Sequence, residues 1–429
     1  MGVTGSHCRD IRPAPSIGPN ASNQLCLLLS IPSPASESVW KCIGLSGFLR
    51  GKLCLVCRNF REAGYQKVVT IDDNRAPISA EFLHSILKDA PHLQSLTIRR
   101  KSHDLRVSQK LLLTKLSVGS NSLRFLDLSN QSLTDFRFLE KMPLLEHLIL
   151  KNCRVPKEHI QTNLSMTLNS LRYLDLSNQK VADLRFLEKM PHLNHLLLKN
   201  VQLKDTNGFC RMICSEQIYQ DITPIGFLES LTVLFLSCPH YVDLTPLSRC
   251  QCLKKLFIAP ATKIYDISAL ARCKSLRTLA IFGANSIENF DVISYLHQLR
   301  ILILFSAHQL TRLDWIINCK WLHTFILVRA TLTCDASSLA SLPDLRLLLL
   351  RDAGIYNISA LHNSASLQMV SIAPLVQTEL ISSFNHLMLR RPDICLVTLP
   401  LELKVETHFI NDNDIVFLTG SGTLTFTSS

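Results

Sequence analysis

Cysteine and histidine are the residue types here best suited to bind a metal or act as a nucleophile, and there are fifteen of each among 429 residues. Their spacing decides what they can do. A structural zinc site needs two close ligand pairs at a set separation, and no CxxC pair in this chain has a matching partner. Cys210 and Cys214 lie four apart, able to share a helix face, but one pair does not complete a zinc shell. Cys250, Cys273 and Cys319 each stand three residues before a leucine, in a slot held elsewhere by Met142, Met190 and Leu342. Thiols that exchange with methionine and leucine are small core side chains, and free thiols in such numbers suit a reducing compartment. His92, His147, His192, His195 and His323 recur with the same spacing as the leucines, so the spacing belongs to a repeat rather than to a metal. The strings GxSxG, HExxH, GxGxxG and GxxxxGK followed by Ser or Thr are absent, which leaves no motif for acyl transfer, zinc hydrolysis or phosphate cradling. Arg124 with Asp127, and Arg172 with Asp175, read as surface pairs. The expectation is a binding protein with no catalytic residue, cofactor or metal.

The elements that position these residues come from one string. LxxLxL, with Leu, Ile or Val in the key slots and one Phe at Phe325, starts at Leu93, Leu123, Leu145, Leu171, Leu193, Leu231, Leu253, Leu276, Leu299, Leu322, Leu345 and Leu367. Eight of the eleven gaps are 22 or 23 residues, a register that chance does not produce. Residues 121–152 and 169–200 match at about three quarters of their positions, which marks a duplicated two-repeat unit. Each LxxLxL predicts a short strand whose leucines point inward. Asn130, Asn152, Asn178 and Asn200 follow it, where an amide can hydrogen-bond neighbouring backbone at a tight inner turn. Asp135, Asp243, Asp266 and Asn357 then suit the cap of a short helical turn. A period this short leaves room only for a turn or 3-10 segment opposite the strand. One repeat cannot bury its apolar side alone, and stacking a dozen gives a continuous core.

This pattern resembles the leucine-rich-repeat family over about residues 90–400, in particular the 22-residue subtype of the regulatory subunit of type-1 protein phosphatase. The resemblance implies an α/β solenoid with a curved parallel sheet on its concave side and short helical or 3-10 turns on the convex side. Ahead of the repeats, LCLVCRNFREA (residues 53–63) resembles the end of an F-box, and Ile31-Pro32 stands where that module opens. The F-box resemblance implies docking on a Skp-type adaptor and a cullin through Ile31, Pro32, Val39, Trp40, Phe48, Leu49, Leu53, Val56, Cys57 and Phe60. A plain helical cap with Leu53, Val56 and Phe60 in its core is the other reading of the same residues. The 22-residue subtype implies instead a regulatory scaffold of a phosphatase or other signalling enzyme.

The expected organisation is a disordered segment at 1–24, a helical cap at 25–65, the solenoid at 66–376, a closing helix and strand at 377–400, and a tail at 401–429 with a β-hairpin. Residues 205–224 lengthen one repeat and read as a surface loop or a binding loop. On each strand the third, fifth and seventh positions face the concave side. Early repeats place mixed residues there, among them Phe125, Asp127, His147, Tyr173 and Lys199. Later ones place Phe235, Phe257, Phe282, Ile301, Ile303, Phe305, Ile326, Val328, Leu347 and Leu349. Phe235, Phe257, Phe282 and Phe305 would form a ladder of aromatic anchors for a protein partner. Two other readings stay open: the 401–429 tail folds over this patch, or the strand phase slips and the residues are core.

The formal net charge is +11. The basic residues are dispersed through the repeats, with one dense run at Arg99-Arg100-Lys101, so a solvated surface is expected and no nucleic-acid partner. No run of about 18 apolar residues occurs, and Leu25–Ile31 is short and late for a signal peptide. The expected location is cytoplasmic or nuclear, with no membrane association.

Overall fold

The leucine period becomes a stack of parallel strands in the computed structural model, which describes residues 70–72, 93–98, 122–133, 136–154, 164, 169–181, 183–203, 220–237, 240–373, 378–396, 403–404, 414–419 and 422–427. Two units can be distinguished, Met1–Asp175 and Leu176–Ser429. In the first, strands Thr70–Asp72, Ser95–Thr97, Phe125–Asp127, His147–Ile149 and Tyr173–Asp175 pair in parallel, in chain order. In the second, the parallel order runs His195–Leu198, Val233–Leu236, Lys255–Ile258, Thr278–Phe282, Ile301–Phe305, Thr324–Asp335, Leu347–Tyr356, Met369–Ala373 and Cys395–Leu396.

Opposite the sheet, short turns recur from repeat to repeat among the described residues. Five-residue 3-10 segments occupy Arg137–Lys141, Arg185–Lys189, Thr223–Phe227, Thr245–Arg249, Ser268–Arg272, Asp291–Tyr295 and Asp314–Asn318. An acidic or amide side chain starts several of them. Asp243 accepts the Thr245 N–H at 2.8 Å and Asp266 accepts the Ser268 N–H at 2.7 Å, which satisfies a donor that the first turn leaves unpaired. Asn357 differs. It stands at the N-cap with φ 55°, and its amide donates to Asp335 and Ser337 of the preceding repeat. Thr378–Arg390 is an α-helix, and Asp414–Thr419 pairs antiparallel with Gly422–Thr427. No helix of the described residues is long and apolar enough to cross a membrane.

The three leucine slots are closed to solvent in the repeats that open at Leu93 through Leu345, and in the last repeat Ile372 is half-buried. Leu253, Leu256 and Ile258 are fully buried, as are Leu276, Leu279 and Ile281. Each such side chain contributes about 1.5–3 kcal/mol when buried. Cys250, Cys273 and Cys319 are buried in the slot they share with Met142 and Met190. A thiol adds what methionine cannot, a donor: Cys250 Sγ lies 3.5 Å from the Ile225 carbonyl and Cys273 Sγ 3.3 Å from the Leu247 carbonyl.

The asparagines behave differently from expectation. Asn130, Asn152, Asn178 and Asn200 are exposed and left-handed, with φ between 54° and 65°. Their amides bond to one another, Asn152 to Asn130 at 2.9 Å and Asn200 to Asn178 at 3.1 Å. The backbone is instead served one residue later, where the Gln131 amide donates to Ile98 O at 3.0 Å and Cys153 Sγ to Leu128 O at 2.9 Å. The preceding slot selects for conformation: Gly283, Ser306, Arg329 and Asp352 occupy it later, all with positive φ. Asparagine and glycine tolerate that region, whereas most L-residues lose about 1–2 kcal/mol in it. Arg329→Asn is therefore expected to raise stability by about 1 kcal/mol, seen in thermal unfolding as a Tm about 2–4 °C higher. An unchanged or lower Tm would show that the Arg329 side chain offsets its backbone strain.

Candidate functional site

Strand register decides which side chains share a face. In the second unit, the fifth positions align as Phe235, Phe257, Ala280, Ile303, Ile326 and Leu349. The leucine row beside them, Leu234, Leu256, Leu279, Leu302, Phe325 and Leu348, holds its own register. Alternation along a strand sends the two rows to opposite faces, so the phase does not slip between these strands. The third positions align Ile301 with Thr324 and Leu347. The seventh positions align Phe282, Phe305, Val328 and Arg351.

The four phenylalanines therefore make two pairs in two rows rather than one ladder. Phe235 and Phe257 stack with ring centroids 5.9 Å apart and planes 10° apart. Phe282 and Phe305 lie 5.0 Å apart and tilted. Ala280 follows Phe257 in its row, where a third ring would be needed to join them. The pairs also differ in access. Phe257 is 1% exposed and Phe235 4%, while Phe282 and Phe305 are half-buried. Ile301, Ile303, Ile326, Val328, Leu347 and Leu349 are all buried. In-register neighbours about 4.8 Å apart shield one another's flanks, and Phe282 with Phe305 forms the part of this face open to contact. At its other end, Lys199 Nζ sits 6.0 Å from the Phe235 ring centroid, within reach of a cation–π contact.

The first unit carries a more polar face. Phe125, His147 and Tyr173 line up with ring centroids 6.0 and 5.8 Å apart. Burial holds the His147 imidazole below its ordinary pKa and raises that of the Tyr173 phenol, so both are neutral near pH 7. Asp127 is fully buried and accepts from the Ser129 N–H and hydroxyl at 2.9 and 2.5 Å. Arg124 pairs with Glu146 of the next repeat, not with Asp127. Among the described residues, no three His, Cys, Asp or Glu side chains converge on a metal position. The ten residues of the F-box resemblance, from Ile31 to Phe60, lie outside the described residues, as does most of the 205–224 insertion.

Among solved structures, an internalin from Listeria monocytogenes matches with a TM-score of 0.53 over 73% of this chain and 89% of its own, at 20% identity. The fold is a leucine-rich-repeat solenoid. A leucine-rich-repeat protein of Leptospira interrogans is also similar, with a TM-score of 0.49 over 80% of this chain and 92% of its own, at 16% identity. No family model matches the sequence, and no curated protein does. The solenoid's repeat explains the histidines: His147 and His195 fill the same strand slot of the duplicated blocks, each opening a strand.

Proposed function

We propose that this solenoid is a protein-binding scaffold whose sheet face across residues 233–351 holds a protein partner. The observation that carries the reading is the pair of in-register apolar rows, with Phe282 and Phe305 as the accessible rings. Aromatic anchors at the centre of an apolar patch are common hot spots. A single sheet face left to water would alternate to polar residues, and six successive strands here do not do so at their fifth positions.

The finer reading is a substrate-recognition subunit of a cullin ubiquitin ligase. It is supported by LCLVCRNFREA directly before the first repeat and by Ile31-Pro32 upstream. In that role the segment 31–60 docks a Skp-type adaptor and the solenoid holds the substrate.

Affinity purification of the full chain beside a copy lacking residues 1–65, read by mass spectrometry, tests both levels. Adaptor and cullin should co-purify with the full chain and vanish with the deletion, while other partners are kept. Retention of the same partners by both copies, without adaptor or cullin, removes the ligase reading and leaves the scaffold. A Phe282→Ser, Phe305→Ser double variant should lose partners at least about tenfold if the sheet face binds them. Unchanged retention would move the site elsewhere.

A further inference from the structure

The first variable position of LxxLxL lies at the entry of each strand, on the flank between turn and sheet. In the second unit it is Lys254, Arg277, Arg300, His323 and Arg346 in five successive repeats. Backbone hydrogen bonds fix their alignment: Arg277 N donates to Lys254 O, Arg300 N to Arg277 O, His323 N to Arg300 O and Arg346 N to His323 O, each at 2.8 Å. Four steps of about 4.8 Å give a file roughly 19 Å long and one residue wide. Lys254, Arg277 and Arg346 are exposed, and Arg300 is half-buried. Among the described residues none of these four has an ion-pair partner. Burial first, then Arg346 and Arg300, holds the His323 imidazole below its ordinary pKa, which leaves four cations at neutral pH. The same slot in the first unit reads Arg124, Glu146 and Arg172, with Glu146 paired to Arg124. There one of the two cations is compensated by a carboxylate in the slot itself; the five second-unit residues include no carboxylate, although Asp344 acts on His323 against the two arginines.

Exposed aromatic rings precede members of the file along the chain: Tyr295 ends the turn ahead of Arg300, and Trp321 stands two residues before His323. Tyr295 and Trp321 are 54% and 57% exposed, large values for such side chains. Lys274 Nζ lies 5.4 Å from the Tyr295 ring centroid, and Arg249 lies 5.7 Å from that of Phe227. Phe227, Glu229, Arg249, Gln251 and Arg272 line an open groove of about 660 Å³. Lys320 adds a further exposed cation beside Trp321.

We propose that this flank binds single-stranded nucleic acid, the basic file tracking phosphates while Tyr295 and Trp321 stack on bases. A straight file of cations matches a linear polyanion better than a flat bilayer. Exposed rings on the turns that lead into the file, Tyr295 with Lys274 against it, favour a polyanion with planar bases over an acidic peptide, because every base offers a π-face. This surface is distinct from the sheet face, so its fate does not depend on the scaffold reading above.

The test is fluorescence anisotropy of the full chain with a labelled single-stranded deoxythymidine decamer. With four phosphate contacts, log K against log salt should have a slope of about −3, a loss of roughly fiftyfold between about 50 and 200 mM salt. Arg277→Gln, Arg300→Gln and Arg346→Gln together should flatten the slope to about −1 and weaken binding at least about tenfold. Trp321→Ala should weaken binding about fivefold or more and leave the slope alone. Arg185→Gln with Arg312→Gln, which removes two ion-paired cations outside the file, should change neither. The proposal is overturned if the decamer does not bind at about 50 mM salt, or if that control pair weakens binding as much as the file variants. It is equally overturned if polyglutamate or phosphatidylserine vesicles bind the flank and the decamer does not. Thermal unfolding of each variant, expected unchanged for these surface positions, guards against a folding defect. If the triple variant unfolds early, Arg277→Gln alone carries the test, with an expected slope change of about 0.7.

Discussion

Raising the pH from 8 to 10 under reducing conditions should remove about half of this protein's stability. Burial pushes the Cys153, Cys250 and Cys319 thiols up to about 12 and the Cys273 thiol up to about 11. In the unfolded chain these thiols titrate near 9.0. The folded pKa is the higher one, so the folded state retains protons that the unfolded state gives up above pH 9. The stabilisation is complete below pH 9 and is lost as pH climbs toward 11–12. Each thiol contributes about 1.4 kcal/mol per pH unit in that window, so four amount to roughly 5 kcal/mol at pH 10, against a typical total of about 5–15 kcal/mol. The structural cause is specific: Cys250, Cys273 and Cys319 are closed inside the core, their only donors pointed at carbonyls of the repeat before, where a thiolate would meet a lone pair. Urea unfolding at pH 8, 9 and 10 measures the effect. Replacing Cys250, Cys273 and Cys319 by Ala should lower stability at pH 8 yet flatten most of the alkaline fall. An equally steep fall in that variant would assign the pH dependence to other groups.

That prediction was half legible in the sequence. The repeat slot shared by Met142, Met190 and the three cysteines marks them as core, because the period alone says which residues face inward. The hydrogen bonds that hold neutral thiols in place are visible only once neighbouring repeats are stacked. The same division runs through the rest of the molecule. Twelve LxxLxL strings and short turns were readable, since burial of a leucine side is the dominant energy and leaves a strict period. The asparagine role was misplaced by one residue, because left-handed φ and backbone rescue are adjacent slots and both favour amides. The four phenylalanines were expected as one ladder. Phe235 and Phe257 are fifth-position residues and Phe282 and Phe305 seventh-position ones, a distinction that register makes and residue type does not. Most telling is the basic file. Lys254, Arg277, Arg300 and Arg346 are separated by about a repeat or more in sequence and look dispersed, which is why a solvated surface was expected. A one-dimensional fold converts equal spacing along the chain into adjacency in space.

Truncating Phe325 should have the other large effect, and it should be local. Phe325 is the one phenylalanine in the fourth slot of the strings, fully buried, in register with Leu302 on one side and Leu348 on the other. Phe325→Ala removes the largest side chain of that row and leaves a cavity that two strands of backbone pairing cannot collapse. The expected cost is about 3–5 kcal/mol. In a globular core such a loss spreads over the whole domain. Here each repeat touches only its neighbours, so stability is a sum of repeat and interface terms. The strand Leu347–Tyr356 and the helix Thr378–Arg390 lie on the side of the defect with few repeats left to support them. Hydrogen exchange should therefore accelerate by about a hundredfold or more at Leu348 and Leu350. Leu256 and Ile258, three strands before the defect, should change far less. Phe325→Leu restores the residue found in the other repeats and should cost less than about 1.5 kcal/mol. Uniform acceleration across Leu256 to Leu350 would mean that the second unit unfolds as one cooperative body, and that its repeats are coupled more tightly than nearest-neighbour stacking provides.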